Sequence, residues 1–408
     1  YISLICRKLI STYLGKRLVD DLDHLGYKRI ETPGILVGEL FRTLFKRFIN
    51  NINSQIEKKK HYPNITSIIY RNNVITTGLR TCFSTGAWGI QKNSYIRKGV
   101  CQLLSRLTYG STLSHMRRLV FPVGKEAKNI KLRQIHSSQF GYIDCVETPE
   151  GASSGIVLNL SLLTKISKNI NINIVKRELK KISGFIDIND LDIKLIDITS
   201  LYTIFLNGRI IGFCKDKNLY VNKFKILRDI KLFSNDISIS YNNLENELLI
   251  NCDSGRALRP LFVVNKKNVK NFSKFILSIE NCDWNNLIDN NIIRYIDSLE
   301  IENSVVAMYP HEVSEKNNYD YCEIHPSSIL GVMSSCIPFS HCSQSPRNIY
   351  QSAMGKQAIG IFAMSYRQRT DTCTHILDYP QKQLAMTKYA KMMNFDKMPS
   401  GINAIVAI

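Results

Sequence analysis

The sequence predicts a multidomain chain of mixed α/β (α+β) class. Three observations carry that expectation. The first part of the chain repeats apolar residues at helical spacing. The middle alternates helical stretches with short β-branched runs and holds one strong hairpin signal. Basic charge gathers toward the two ends and cancels between them. With 408 residues there is room for several domains, and 44% apolar with 22% charged side chains is ordinary for globular protein.

Residues 1–18 place Ile5, Leu9, Ile10, Tyr13, Leu14 and Leu18 on a helical repeat, and the run from Asp20 to Gly26 breaks it. Asp20, Asp21 and Asp23 read as an Asp-rich turn, a far commoner feature than a metal site. A second helix is expected from about Leu36 to Lys59, with Leu40, Phe41, Leu44, Phe45, Phe48 and Ile52 on its stripe. A third starts near Arg71 and ends at Gly86-Ala-Trp-Gly89. Residues 90–165 are rich in Ser, Thr, Gly, Arg and His, a composition that marks a site more often than a core. Strand character returns over 159–166. Helices are then expected over 172–182 and 221–233, and strands at 248–252, 261–264 and 305–308. Residues 204–213 read as a hairpin with Asn207-Gly208 at its tip. The last run, 402–408, is β-branched and apolar, as a buried strand is. With Tyr1 in first place, it predicts a chain that is partial at both ends.

Charge narrows the class of partner. Residues 1–165 hold 25 Lys and Arg against 10 Asp and Glu, residues 166–345 hold 21 against 21, and residues 346–408 hold 8 against 3. A net charge of +20 arranged this way suits a polyanion, and nucleic acid is the commonest one. No stretch approaches the roughly 18–20 apolar residues that span a bilayer, and no Lys-rich amphipathic helix stands out, so no membrane partner is expected. No leader pattern is visible either, which predicts an intracellular, reducing setting in which the 11 cysteines are mostly buried thiols. There is no Cys-x-x-Cys pair. Cys336 and Cys342 beside His341 have the wrong spacing for a zinc ribbon, so no zinc site is expected.

The candidate chemistry sits in a few short blocks. Residues 344–357 set Arg347 and Lys356 among small and amide side chains, with Pro346 fixing the entry to a helix. From Arg347, Tyr350 and Met354 follow at three and seven residues, and Ser352 and Gly355 keep one side slim. A cation at a helix start suits phosphate oxygens; the same residues also fit a surface helix with a solvated arginine. Glu147 and Glu150 flank Pro149 in a tight turn, either to orient a ligand or as plain surface. Residues 108–118 combine hydroxyls, His115 and the pair Arg117 and Arg118, suiting backbone phosphates or a solvated helix end equally. Residues 91–99 form a basic loop with Tyr95 available to stack on a base, or an exposed loop and no more. His325 before Pro326 reads as structural. No Walker loop, nucleophile elbow or His-Glu-x-x-His occurs.

Taken in order, these blocks resemble one family: the second-largest (β-type) subunit of multisubunit DNA-dependent RNA polymerases, in its eukaryotic, archaeal and large-DNA-virus form. The resemblance runs through residues 21–29, 85–89, 104–118, 147–151, 255–262, 323–326, 344–357, 379–382 and 403–408, nearly the whole chain. It implies the end of the lobe and the return of the protrusion over 1–65, the fork over 66–165, and two external domains over 166–250 and 251–343. The start of the hybrid-binding domain follows over 344–408. Departures are Leu158, Phe140 and Gln383 where Lys, Trp and Pro are usual, and a 92–98 loop about one residue short.

The same resemblance implies the roles. Arg347 matches the arginine on the phosphates of the incoming nucleotide. Tyr350 and Gln357 match residues lining the active centre near the RNA 3′ end, with Lys356 adding positive charge. Glu147 matches a carboxylate near the nucleotide-entry side. Lys92, Tyr95, Arg97 and Lys98 in the fork loop, with Arg106, Arg117 and Arg118, are expected on nucleic acid. The partners implied are DNA template, RNA transcript, ribonucleoside triphosphates, the largest subunit and smaller subunits. The cofactor implied is Mg2+, held mainly by the largest subunit. The setting implied is the nucleus, or a cytoplasmic viral factory or virion. The alternatives are a non-catalytic nucleic-acid-binding remnant, or a split piece completed by a second polypeptide and inactive alone.

Overall fold

The computed structural model describes residues 2–58, 64–88, 97–124, 129–190, 201–265, 269–279 and 282–408. In chain order the helices α1 (Ile2–Tyr13), α2 (Pro33–Lys58), α3 (Ile65–Arg71), α4 (Val74–Thr85) and α5 (Tyr109–Met116) come first. The strands β1 (Arg118–Val120), β2 (Val157–Asn159) and β3 (Lys165–Ile166) lead to α6 (Ile172–Lys180), β4 (Phe185–Asp187), β5 (Tyr202–Leu206), β6 (Arg209–Cys214) and α7 (Lys217–Asp229). Then follow β7 (Ser238–Asn242), β8 (Glu247–Asn251), β9 (Ala257–Val263), α8 (Phe272–Leu277), α9 (Trp284–Asp289), β10 (Ile293–Asp297), α10 (Ser298–Glu302), β11 (Val306–Ala307), β12 (Tyr321–Cys322), α11 (Ser345–Gly355) and α12 (Lys388–Met392). The expected mixed α/β class holds, with more than one sheet. Contacts divide the chain into two units: Tyr1–Arg29 with Ala127–Gly331, and Ile30–Glu126 with Val332–Ile408.

The first unit is built on two five-stranded sheets. One has the order β4-β6-β5-β8-β7. Its β5–β6 hairpin turns at Asn207 and Gly208, whose φ values of 48° and 76° match the twist of the strands. β5 and β8 run parallel, because the chain crosses over through β6, α7 and β7 before returning. Val175 and Leu179 of α6 and Tyr220 and Phe224 of α7 cover Ile204, Leu206, Leu248 and Ile250. Burying each such side chain is worth about 1.5–3 kcal/mol. Asp216 caps α7, accepting from the N–H groups of Asn218 and Leu219 at 2.9 and 3.2 Å.

The other sheet has the order β10-β9-β12-β11, with β3 also on β9. β9 is buried along its whole length, so its Arg259 needs compensation. It pairs with Glu323 at 2.7 Å and lies over the rings of Phe140 and Tyr142 at 5.5 and 5.4 Å. The two sheets are joined by a buried pair. Arg228 of α7 is 0% exposed and bidentate to Glu300 of α10, at 2.9 and 2.6 Å. Arg256 adds bonds to Ser238 and Asp297 at 2.9 and 3.1 Å.

In the second unit α2 packs on α4 through Leu40, Leu44, Cys82 and Trp88. The Trp88 indole N–H donates to the Leu36 carbonyl at 3.1 Å. Gly86 ends α4 in the left-handed region, at φ 67°, with its N–H on the Cys82 carbonyl.

Several expectations need correction. The run 402–408 is neither a strand nor buried: Ile405 is fully exposed, and Asn403 bonds through its amide groups to Gln381 and Lys382. An apolar run becomes a strand only where a neighbouring strand pairs with it, and none among the described residues does. The cysteines are not mostly buried: four are buried, three half-buried and four exposed. The exposed ones, Cys6, Cys282, Cys342 and Cys373, lie on α1, in a turn, in a short 3-10 turn and in a loop, away from the apolar clusters. The first helix stops at Tyr13 and buries none of its residues. The third helix, expected from near Arg71, is α4 and starts at Val74, and a short helix that the sequence reading did not name, α3, precedes it. The helix expected over 221–233 is drawn back to Lys217–Asp229 by the Asp216 cap. β9 runs through Pro260, where the sequence suggested a strand starting only after it.

Candidate nucleotide-phosphate and nucleic-acid site

The block at 344–357 folds as a loop feeding α11, with Pro346 in the first turn and no acidic residue beside it. Its slim side turns inward. Asn348 and Ser352 are buried one helical turn apart; the Asn348 amide donates to the Ser340 carbonyl at 2.9 Å and the Ser352 hydroxyl to the Asn348 carbonyl at 2.9 Å. The opposite face presents Arg347, Tyr350 (40% exposed) and Met354 (58% exposed). The guanidinium lies 5.9 Å from the centre of the Tyr350 ring, which restricts its directions without neutralising it. Gln357, just beyond the helix, is exposed too.

The helix is held against α5 by one methionine. A methyl placed on Gly110 would lie 2.6 Å from the Met333 sulfur, and one on Gly355 would lie 2.9 Å from its terminal methyl. Met333 is therefore sandwiched between α5 and α11, and the two glycines permit the approach. The Thr108 hydroxyl accepts from the Ser111 N–H at 2.9 Å to cap α5, and it also reaches the Lys356 carbonyl at 3.4 Å. Tyr109 packs on Phe395 at 5.3 Å and donates to the Met393 carbonyl at 3.1 Å.

Cations collect around this contact. Arg117 closes α5, Arg118 follows it, and Lys356 closes α11. His115 is kept below its ordinary histidine value, first by burial and then by the charges of Arg118 and Lys356. Arg106 is half-buried and acts on Asp371, whose carboxyl is held below its ordinary range chiefly by a hydrogen bond from Arg369. Arg97 is paired with Glu31 and exchanges backbone bonds with Trp88 at 2.8 and 3.0 Å, so part of its charge is spent inside the protein. Lys98 is exposed. Lys92 and Tyr95 lie outside the described residues.

Glu147 belongs to the first unit and is 1% exposed. Its carbonyl accepts from the Asn159 amide at 3.1 Å, and its carboxylate would stand 3.2 Å from a methyl placed on Gly331. This carboxylate is interior, beside buried Asp144, and offers no surface to a ligand within its unit.

Sequence reasoning brought Arg347, Tyr350, Lys356, Gln357, Arg106, Arg117 and Arg118 forward, and all fall in the second unit. It missed the roles of Met333, Gly110 and Gly355, because no spacing marks a glycine pair 245 residues apart. Among the described residues no group of three His, Cys, Asp or Glu is placed to hold a metal ion. They offer no cage for Mg2+. No helix among the described residues is long and apolar enough to cross a membrane.

A basic end of α5 and an exposed Arg347 at the start of α11 are the features that the family comparison sets in context: the class is that of the second-largest subunits of RNA polymerase. Residues 102–166, 204–265, 284–326 and 333–408 match the family models of RNA polymerase Rpb2 domains 3, 4, 5 and 6, in that order. The chain belongs to the Rpb2 family of second-largest RNA polymerase subunits. Over its whole length it is 38% identical to DNA-directed RNA polymerase II subunit 2 of Arabidopsis thaliana, covering 36% of that protein. It is 35% identical to DNA-directed RNA polymerase subunit Rpo2 of Sulfolobus acidocaldarius, covering 37% of it. Over 95% of its length it is 39% identical to a probable DNA-directed RNA polymerase II subunit RPB2 homolog of Invertebrate iridescent virus 6, covering 32% of it. The chain thus spans about a third of the length of the curated relatives it matches.

Proposed function

We propose that the chain serves in the catalytic core of a DNA-dependent RNA polymerase, acting with a largest subunit and smaller subunits on template, transcript and ribonucleoside triphosphates. The observation that carries this reading is α11: a small buried face, and an opposite face that presents Arg347 over Tyr350 with no acid in the first turn. In this reading residues 1–65 are lobe end and protrusion return, 66–165 the fork, 166–250 and 251–343 the external domains, and 344–408 the start of the hybrid-binding domain. The RNA 3′-OH attacks the α-phosphorus of the bound triphosphate, the bond to the bridging oxygen breaks, and pyrophosphate leaves. Arg347 donates to phosphate oxygens whose charge grows along that path. Tyr350 and Gln357 line the space for the RNA end, and Lys356, Arg106, Arg117 and Arg118 hold backbone phosphates. Lys98 and Arg97, with Lys92 and Tyr95, work at the downstream edge of the bubble. Glu147 acts from the interior as a positioning group near the nucleotide-entry side. Mg2+ is carried mainly by the largest subunit in this reading.

The test is Arg347→Ala in a reconstituted polymerase. Subunit assembly is expected to be unchanged, while single-nucleotide addition slows about 100-fold or more, the usual cost of removing a preorganised donor. Arg347→Lys should recover part of that, because an ammonium keeps the charge but not the fork. Assembled Arg347→Ala polymerase that adds nucleotides at the normal rate would falsify the assignment.

A further inference from the structure

Three hydrogen bonds form a chain from α5 to the root of the basic loop, and all pass through His115 or the residue it touches. The Ser105 N–H donates to His115 Nδ1 at 3.0 Å. An accepting Nδ1 leaves the proton on Nε2, which faces Gln102 Oε1 at 3.1 Å. The Gln102 amide then donates to the Gly99 carbonyl at 2.8 Å. Gly99 directly follows Arg97 and Lys98 and has φ 73°, a left-handed turn. Two further bonds fasten the same segment: the Thr112 hydroxyl donates to the Ser105 carbonyl at 2.7 Å, and the Ser105 and Ser111 hydroxyls meet at 2.6 Å.

We propose that His115 is a positioning residue: as a neutral imidazole it latches the segment 99–106 to α5, and protonation opens the latch. A protonated ring donates from both nitrogens, so the Ser105 N–H loses its acceptor and meets a second donor. The new charge also stands beside Arg118 and Lys356, the two charged groups that act on the ring. The sign follows. The fold favours the neutral ring and holds its pKa below the ordinary 6.5. The latch is therefore complete above that value, and it is lost as pH falls through the depressed one. The Nε2 bond to Gln102 and the two hydroxyl bonds survive protonation, so what is freed is the Ser105 amide, immediately before Arg106. The consequence for nucleotide addition rests on the polymerase reading above; the latch does not.

The experiment is amide hydrogen exchange over residues 102–106 in the full chain within the assembled complex, corrected for intrinsic rates, across the acid range. Wild type should lose protection of the Ser105 amide by roughly tenfold or more as the ring protonates. His115→Asn places a carboxamide oxygen near the Nδ1 position, so it should keep protection and lose the pH step. His115→Ala should be unprotected at every pH. Protection that falls in the same way in wild type and His115→Asn, or that survives in His115→Ala, overturns the proposal. Primer extension on the same three proteins then places the function. A wild-type acid limb that moves in His115→Asn ties the latch to nucleotide addition, and an identical limb in both unties it. A complex that never extends a primer sinks the polymerase reading while the exchange result stands.

Discussion

Arg228 carries more of the first unit than its sequence position suggests. Burial works against its charge, but Glu300 more than offsets this and pushes its pKa up. Its guanidinium also donates to the Ile237 carbonyl at 3.0 Å. Arg228→Met leaves Glu300 as an unpaired buried carboxylate, so we expect a loss of about 3–5 kcal/mol. The double variant with Glu300→Leu should recover most of it, as read from denaturant midpoints of the full chain. None of this was legible in the sequence. The helix around Arg228 was, but its partner stands 72 residues away and no local pattern joins them. Arg347 is the opposite case. Its neighbours Tyr350 and Met354 share its face because three and seven residues are helical spacings, and that reading needed no partner from elsewhere.

Among the elements, α5 is placed by an absence of side chain. Gly110→Ala would put a methyl 2.6 Å from the Met333 sulfur and 2.9 Å from the Phe395 ring. We expect about 1–3 kcal/mol of overpacking cost, and a melting temperature that drops with it. At α7 the lever is the cap: Asp216→Ala should cost about 0.5–2 kcal/mol, measured the same way. Helices were the legible elements, since a stripe such as Leu40 and Leu44 repeats over many turns. Strands were less so. β7 reads Ser-Ile-Ser-Tyr-Asn, and Ser238 and Ser240 are buried although polar. β10 carries Arg294 and Asp297 into the interior, where Arg294 is paired with Asp229 and Asp297 with Arg256. Buried polar residues, whether satisfied by distant partners like Ser238 on Asp297 or without one among the described residues like the Ser240 hydroxyl, look like loop when only the sequence is in view.

For the whole molecule, the net charge of +20 sets the expected behaviour toward polyanions. On the polymerase reading proposed above, the logarithm of the template affinity of the assembled complex should fall linearly as log salt rises. Arg117→Ser with Arg118→Ser should lower the slope by about 1–2, as one phosphate contact contributes about 0.9. Anisotropy titrations at several salt concentrations measure this, and an unchanged slope places those arginines off the nucleic acid. The charge map was readable from composition alone. The pairing of Arg97 with Glu31 was not, and it removes one cation from that map.

The buried pair between α7 and α10 has one more implication, for anyone who wants to dissect this protein. A cut between residues 265 and 284, where one recognised domain ends and the next begins, looks safe on paper. It would strip Arg228 of Glu300 and unzip β10 from β9, whose five paired positions run from Ile293 with Phe262 to Asp297 with Leu258. Each half would then expose a raw strand edge and an orphaned ion, the recipe for an insoluble product. A soluble excision keeps both halves, so the natural seam for protein engineering lies outside residues 201–326.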